Sequence, residues 1–194
     1  MIQNRAEHKM TGSLRLAAWA VAAFSAISVA ASAQSPQPYS GMQARQIKAL
    51  SDQQIADLKA GRGMGLALAA ELNGYPGPSH LLELSRQLEL TPDQRSSLEG
   101  MFNAMKAETI PLGETLLGEE TQLDRLFSER TISEQQLQTA TTAIGELQGR
   151  LRNAHLSYHL RAREILQPSQ VRRYAELRGY EEQQKQMPHQ RHHE

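Results

Sequence analysis

The stretch "LTPDQ", Leu90–Gln94, lies between two segments that both show the apolar spacing of amphipathic helices. Thr91 suits the N-cap position. Pro92 suits the first helical position, because the missing N–H of proline would have no intrahelical partner there. Gln94, at the third helical position, can accept a hydrogen bond from the backbone of the cap residue. These five residues therefore predict the start of a helix.

A second copy of this pattern, "LQPSQ", occurs at residues 166–170. It keeps the leucine, the proline and the glutamine in register as Leu166, Pro168 and Gln170. Gln167 stands where the first copy has its capping threonine, so the cap is weaker. The second copy predicts another helix that starts at Pro168.

Two long apolar stripes lie between these start signals. A third capping pair, Ser133 with Gln136, follows a polar turn and separates the stripes. In each stripe, successive apolar residues are three or four positions apart, which predicts two long helices joined by a short turn. Such helices form an elongated antiparallel hairpin. Pro111 should kink the first helix. The stripes are Leu98, Phe102, Met105, Leu112, Leu116, Leu123 and Leu126, and then Leu137, Ala140, Ile144, Leu147, Leu151, Ala154, Tyr158, Ala162 and Ile165.

The composition favours an all-α domain with a slender core. Of the 194 residues, 39% are hydrophobic and only 5% are aromatic, and no stretch alternates with the period of a strand. We expect four to five helices over residues 46–180. A flexible polar lead, 34–45, precedes this domain, and a polar tail that contains histidines, 181–194, follows it.

The first 33 residues have the pattern of a secretory signal peptide. Arg5, Lys9 and Arg15 surround the start of an apolar run, Leu16–Ala31, and "ASA" at residues 31–33 is a typical cleavage site. We expect cleavage after Ala33; a retained membrane anchor is the alternative. The chain has no cysteine, so an exported form cannot be stabilised by disulfides.

Motifs of catalysis and of nucleotide binding are missing from the sequence. "GRGMG", residues 61–65, has no Gly-Lys-Ser/Thr after it and predicts a helix break instead of a phosphate loop. Basic and acidic residues balance at 21 each, which gives no reason to expect nucleic acid as a partner. We predict a protein that is not an enzyme and that requires no cofactor.

Charge is distributed unevenly along the predicted hairpin. Residues 108–134 contain seven acids and two bases, whereas residues 150–178 contain seven arginines and two acids. The two arms could face each other, across the hairpin or across a dimer seam. Alternatively the basic arm is exposed and holds acidic or unfolded polypeptide, since arginine binds both carboxylates and aromatic faces. In that case the client contacts are Arg161, Arg163, Arg172 and Arg173.

Histidines suggest a second type of ligand. His155 and His159 are spaced i, i+4 and share one helix face, so one metal ion could bridge them, although a surface pair without metal is the simpler interpretation. The tail adds His189, His192 and His193, which could capture Zn²⁺, Ni²⁺ or Cu²⁺ or could simply be solvated.

The capping motif carries a family resemblance. Leu90, Thr91 and Gln94 match in full the Leu-Thr-x-x-Gln motif of the periplasmic Spy/CpxP family, and Leu166 and Gln170 match it in part. From about residue 50 to residue 179 the chain resembles that family and its heavy-metal-sensing relatives of the ZraP and CnrX type. The resemblance implies a cradle-like dimer of helical hairpins in the periplasm.

The resemblance also implies two alternative functions. Some members are ATP-independent chaperones of the envelope stress response, which keep unfolded or misfolded periplasmic proteins soluble. Others bind heavy metals such as Zn, Ni or Cu and inform a membrane-bound signalling partner. Metal sites in the family use histidines at helical spacing, a pattern that His155 and His159 match. The chaperone function is our first hypothesis and the metal function is the alternative.

Overall fold

The computed structural model describes residues 37–180, and every element below belongs to the unit that starts at Tyr39. The predicted all-α class is confirmed, because this range contains helices and no strand. The helices number six instead of four or five, since a very short helix, α2, forms after the glycine-rich break. Their bounds are α1 (Asp52–Lys59), α2 (Leu68–Glu71), α3 (Pro78–Glu83), α4 (Pro92–Ser128), α5 (Glu134–Glu164) and α6 (Pro168–Arg178).

The predicted signal peptide, residues 1–33, and the polar tail, residues 181–194, lie outside the described residues. In the predicted lead, the described part contains a 3₁₀ turn, Met42–Ala44. Between residues 37 and 180, no helix combines the length and the apolar character that a membrane crossing needs.

Helix α4 starts at the position that the first motif predicts. The Thr91 hydroxyl accepts a hydrogen bond from the Gln94 N–H at 3.2 Å, and the Thr91 N–H donates to the Gln94 side chain at 3.0 Å. Ser133 and Gln136 form the same reciprocal pair of hydrogen bonds, a capping box, at the start of α5. Helix α4 has 37 residues, which corresponds to about 55 Å, and it continues through Pro111 as one helix.

Helices α4 and α5 form the predicted antiparallel hairpin. Most residues of the two apolar stripes are buried, and Leu137 is the clear exception, 39% exposed. It lies in the first turn of α5, at the tip of the hairpin, away from the part that α1 covers. The central core cluster joins the hairpin to α1 and the segment before it, and consists of Ile47, Ile55, Leu58, Leu112, Leu116, Leu117, Ile144, Leu147 and Leu151.

A second core cluster closes the opposite end of the hairpin, which we call the base. Here α3 and α6 pack against the start of α4 and the end of α5. The cluster contains the leucines of both motifs, Leu90 and Leu166, together with Leu81, Leu88, Leu98, Ala162 and Tyr174.

The glutamines of the two motifs form a reciprocal pair at the base. Gln94 Nε2 donates to Gln170 Oε1 at 2.9 Å, and Gln170 Nε2 donates to Gln94 Oε1 at 3.0 Å. The second N–H of each amide donates to a carbonyl of the loop before the other helix. Gln94 bonds Ile165 O at 2.8 Å, and Gln170 bonds Leu88 O at 3.2 Å.

Both amides also bond their own helix starts. Gln94 accepts from the Thr91 N–H at 3.0 Å, and Gln170 accepts from the Gln167 N–H at 2.9 Å. Each side chain thus uses two donors and two acceptors, which is the full capacity of an amide. The two copies of the motif, 76 residues apart, are therefore the two halves of one joint.

The charged arms do not meet within the hairpin. Among the described residues, no ion pair joins an acid of α4 to an arginine of α5 or α6. Asp124 of α4 instead pairs with Lys48 at 3.0 Å, and Arg178 of α6 pairs with Glu83 of α3 at 2.8 Å. Within residues 37–180, direct ion pairs across the hairpin therefore do not support the interpretation in which the arms face each other there.

We predict that Gln94→Ala lowers the free energy of unfolding by about 2 kcal/mol, because it removes a cap and leaves partly buried donors and acceptors without partners. Gln136→Ala is the matched control, since Gln136 has the same capping role and no cross-helix partner; its cost should be about 1 kcal/mol or less. Urea unfolding measures both. The double variant Gln94→Ala/Gln170→Ala should cost about 1 kcal/mol less than the sum of its singles. If the loss in the double variant equalled the sum of the two single losses, the two glutamines would not interact and the joint would be contradicted.

Candidate functional site

A cavity of about 520 Å³ lies beside the base, between the glycine-rich segment, α2, the start of α3 and the faces of α4 and α5. All three histidines between residues 37 and 180, His80, His155 and His159, line it. Its other polar, charged and sulfur-containing lining residues include Arg62, Met64, Glu71, Ser79, Glu83, Met105 and Lys106.

The predicted pair His155 and His159 lies one turn apart on α5, and both side chains face this cavity. They are only 3% and 7% exposed, so the interpretation as a surface pair is wrong. The Nε2 atom of His155 is buried and has no hydrogen-bond partner among the described residues. Burial, followed by the neighbouring His159, lowers the pKa of His155, so this imidazole is neutral at pH 7.

Two glycines, Gly63 and Gly77, lie directly against these rings, at positions where a side chain would crowd or collide with them. His159 Nδ1 lies 2.7 Å from the carbonyl oxygen of Tyr75, and because a carbonyl only accepts, Nδ1 is the donor of this hydrogen bond. A Cβ added at Gly77 would lie 2.7 Å from His159 Nε2, and one at Gly63 would lie 3.3 Å from His155 Nδ1. The loops on both sides of α2 therefore approach the imidazoles as closely as they do because both residues are glycine.

Glu71 of α2 is the buried centre of the surrounding contacts, with 5% exposure. Its Oε1 accepts hydrogen bonds from the hydroxyls of Tyr174 and Tyr180, the latter at 3.1 Å. Its Oε2 accepts from the Gly77 N–H at 3.2 Å and lies 3.3 Å from His80 Nδ1, an ion pair without hydrogen-bond geometry. One carboxylate thus joins α2 to α3, to α6 and to Tyr180, two residues after the end of α6.

These contacts set the charge of Glu71. Burial alone would raise its pKa, but the neighbouring His80, the Tyr174 hydroxyl and the Gly77 N–H outweigh burial and lower the pKa to about 2. The contact with Glu71 likewise raises the pKa of His80 despite its desolvation. Burial and then Glu71 raise the pKa of Tyr174. Glu71 is therefore ionised at neutral pH.

Glu71, His80 and Tyr180 were missed by the sequence analysis. One signal was present, because Glu71 is the only charged residue in "LALAAELNGY", residues 66–75. An acid within a short apolar run is often buried and paired. Its partners could not be deduced from spacing, since Tyr174 is 103 residues away.

The four predicted client-binding arginines lie at the base, on α5 and α6, and do not line the cavity. Arg161 is exposed, and its guanidinium lies 4.9 Å from the ring centroid of Tyr158. Arg172 is exposed and Arg163 is half-buried, while Arg173 pairs at 2.9 Å with a glutamate on its own helix. The arginines and the histidines therefore belong to different surfaces.

Exposed apolar side chains cluster in the segment that covers the cavity. Met64, Leu68, Leu72 and Tyr75 are 40%, 53%, 50% and 40% exposed and fall within 12 consecutive residues. We call these four side chains the α2 ridge. Single exposed leucines are normal on a protein surface, but four large exposed apolar side chains within one short segment suggest an interaction site.

The described residues supply only part of a metal site. Between residues 37 and 180, no group of three or more His, Asp or Glu side chains is arranged so that it could hold a metal ion. The remaining predicted ligands, His189, His192 and His193, lie outside the described residues.

Comparison with known proteins gives one family match. Residues 63–173, more than half of the chain, match the model of a family described as heavy-metal resistance. The matched range includes the α2 ridge, the three cavity histidines, the α4–α5 hairpin and both motifs. No curated protein and no solved structure matches the chain.

We predict that ionised Glu71 contributes about 2 kcal/mol to the free energy of unfolding. Its folded pKa of about 2 lies below the usual 4.5, so this contribution is fully present above pH 4.5 and is lost as the pH falls toward 2. Urea unfolding between pH 7 and pH 2 should show this loss in the parent and not in Glu71→Gln. Glu83→Gln, at an exposed carboxylate of the same cavity, is the control and should keep the parent's pH dependence.

Proposed function

The chain belongs to the heavy-metal resistance family, and from this premise we propose that it is a periplasmic binding protein that keeps unfolded polypeptide soluble without nucleotide and without catalysis. The observation that carries this proposal is the α2 ridge. Its four side chains present apolar surface to solvent on the short helix α2 and in the loops on both sides of it, where an unfolded chain could bury its own apolar side chains.

The neighbouring surface of α5 suits the same client. Helix α2 packs against α5, where Leu160 is 53% exposed and is followed by the exposed Arg161. Arginine can pair with the acidic groups and stack on the aromatic groups of an unfolded chain. An exposed leucine followed by an exposed arginine offers both apolar and cationic contacts, which would support weak binding of many sequences.

We also propose that the protein acts in the periplasm. The basic and apolar pattern of residues 1–33 supports export with cleavage after Ala33. Homodimerisation into a cradle would place two α2 ridges in one assembly, and a membrane-bound signalling partner could read the occupied state. Balanced charge, with 21 basic and 21 acidic residues, gives no support to nucleic acid as a ligand.

We predict that a few-fold molar excess of the protein suppresses the light scattering of a denatured client as the client is diluted from urea. Leu68→Ser/Leu72→Ser should abolish most of this suppression, because it removes the apolar side chains of the α2 ridge. Phe127→Ser is the matched control: Phe127 is 53% exposed, like Leu68, but lies at the tip of the hairpin. Equal loss in both variants would exclude the ridge as the client surface, and no suppression by the parent would exclude the chaperone function.

The second candidate function is the binding of a heavy-metal ion in the cavity. The observation that favours it is that all three histidines of the described range line this one cavity. Two imidazoles of the described range offer donors to such an ion, which is part of the ligand set that it needs. His155 Nε2 is buried without a partner, and Gly63 and Gly77 leave free the space that a Cβ would fill beside the two rings. An imidazole nitrogen binds Zn²⁺ at about 2.0–2.1 Å.

The chemistry of the donors selects a class of metal. His155 and His159 would hold the ion through neutral imidazoles, which suit borderline ions such as Zn²⁺, Ni²⁺ and Cu²⁺. The lowered pKa of His155 keeps its ring in the form that binds metal. Glu71 is already saturated by Tyr174, Tyr180 and Gly77, so its role would be to hold the surrounding loops in place.

We predict that calorimetric titration with Zn²⁺, Ni²⁺ or Cu²⁺ detects binding at pH 7.5 that disappears below about pH 6, where imidazoles become protonated. His155→Ala/His159→Ala should abolish it. Asn153→Ala, at an exposed position on the same helix, should leave it unchanged. Binding no tighter than about millimolar in the parent, or equal binding in all three proteins, would exclude His155 and His159 as a metal site.

A further inference from the structure

Two methionines line the cavity together with the imidazoles of α5. Met64 lies in the glycine-rich segment before α2, and Met105 lies on α4. The thioether sulfur of methionine is a neutral and polarisable donor that binds soft metal ions. Within residues 37–180, no third His, Asp or Glu side chain is placed to complete a metal site with His155 and His159. The thioethers are therefore the soft donors that the described chain adds to these two imidazoles.

Met105 forms part of the cavity wall and is only 6% exposed. Its position is tied to the glycine-rich segment through Thr109, one turn later on α4. The Thr109 hydroxyl donates to the carbonyl oxygen of Met105 at 2.9 Å and lies 3.5 Å from the carbonyl oxygen of Gly61. Buried methionines usually fill gaps in a core. Met105 instead borders a cavity of about 520 Å³ that it does not fill.

Met64 has an unusual backbone conformation directly beside one of the imidazoles. Its φ angle is +44°, in the left-handed region that residues other than glycine seldom adopt. The preceding residue, Gly63, lies against the ring of His155, since a Cβ added there would be 3.3 Å from Nδ1. Residues with such φ angles are concentrated at functional sites. The Met64 side chain is 40% exposed, so its rotatable bonds leave it free to turn its sulfur toward the cavity.

The combination of donors selects the metal. Thioethers bind soft ions such as Cu(I), and imidazole also binds copper. Protein sites for Zn²⁺ are instead built from thiolates, imidazoles and carboxylates. Copper is therefore the metal that suits both kinds of donor in this cavity.

The charge of the cavity favours an ion with a single positive charge. Imidazole and thioether donors are neutral, so the charge of the ion is not cancelled by its ligands. Burying one charge costs less free energy than burying two. The cations of Arg62 and Lys106 line the same cavity and repel a divalent ion more strongly than a monovalent one. Both effects favour Cu(I) over divalent ions.

We propose, as an extension that rests on the second candidate function, that the cavity binds a soft monovalent metal ion, Cu(I), through two imidazoles and two thioethers, those of His155, His159, Met64 and Met105. His155 Nε2 is buried and has no hydrogen-bond partner among the described residues, so it is available to the ion. The same donors suit Ag⁺, which is also soft and monovalent and which needs no reductant.

The test is a calorimetric titration of Ag⁺ into the protein at pH 7.5 in a buffer without chloride. Loss of a group behind a metal ligand already weakens binding about 10–100-fold, so Met64→Leu/Met105→Leu, which removes two ligands, should weaken Ag⁺ binding at least about 100-fold. Leucine keeps the size and the apolar character of both side chains. The same variant should bind Zn²⁺ like the parent, because only the imidazoles are donors to that ion. His155→Ala/His159→Ala should weaken the binding of both ions.

The matched control is Met42→Leu/Met101→Leu, which should bind Ag⁺ like the parent. Met101 lies one turn before Met105 on α4 and packs against the core cluster of the base, and Met42 is 37% exposed; neither lines the cavity. Met64→Leu alone, at a largely exposed position, should keep the fold and weaken Ag⁺ binding at least about 10-fold. In ¹³C NMR spectra, Ag⁺ should shift the methyl signals of Met64 and Met105 and leave those of Met42 and Met101 in place.

Other results would overturn the proposal. If Ag⁺ binding is lost in the histidine variant and kept in Met64→Leu/Met105→Leu, the cavity binds metal without thioethers, and only the second candidate function stands. A parent that binds Zn²⁺ but binds Ag⁺ no tighter than about millimolar leads to the same conclusion. Loss in the methionine variant alone would exclude the imidazoles as ligands, and equal loss in the methionine control would place the sulfur donors outside the cavity. No binding of either ion would refute both the proposal and the second candidate function.

Discussion

The ionised carboxylate of Glu71 is the interaction on which the site end of the molecule depends. It receives donors from the loop at Gly77 and from Tyr174 and Tyr180, and it faces the imidazole of His80. Through these contacts a four-residue helix, too short to be stable alone, is fixed against three other elements. The exposed ridge and the wall of the cavity that α2 forms are therefore held in place by this one side chain.

The glutamine joint holds the partners of Glu71 in place. Gln94 and Gln170 fasten the start of α4 to the start of α6. Because Tyr174 lies one turn after Gln170 on the same helix, the joint also sets where the tyrosine hydroxyl meets Glu71. The two amides of the joint use every donor and acceptor, and the Glu71 carboxylate accepts three hydrogen bonds; both groups lie in surroundings where a lost partner lowers stability. The glutamine joint and the Glu71 contacts specify one arrangement of the base. The apolar core of the hairpin stabilises the rest of the described fold.

Helix starts and buried helix faces could be predicted from the sequence, because they depend on residues within one or two helical turns. The capping threonine and proline predicted the first residue of α4, and the apolar steps predicted which faces of α4 and α5 are buried. Contacts between distant residues could not be deduced in this way. Nothing in the spacing shows that Gln94 bonds Gln170, or that Glu71 meets a tyrosine 103 residues away. His155 and His159 were predicted as a pair, but their burial depends on two glycine loops that fold over them.

Direct titration of the Glu71 carboxyl carbon by ¹³C NMR, assigned with Glu71→Gln, is the most direct test of this carboxylate as the centre of the site. The structure predicts that the signal stays at its ionised position from pH 7 down to about pH 3.5 and titrates with a pKa of about 2. A midpoint near the usual 4.5 would show that the contacts from His80, Tyr174 and Gly77 do not hold the charged form. In that case the central role assigned to Glu71 would be wrong.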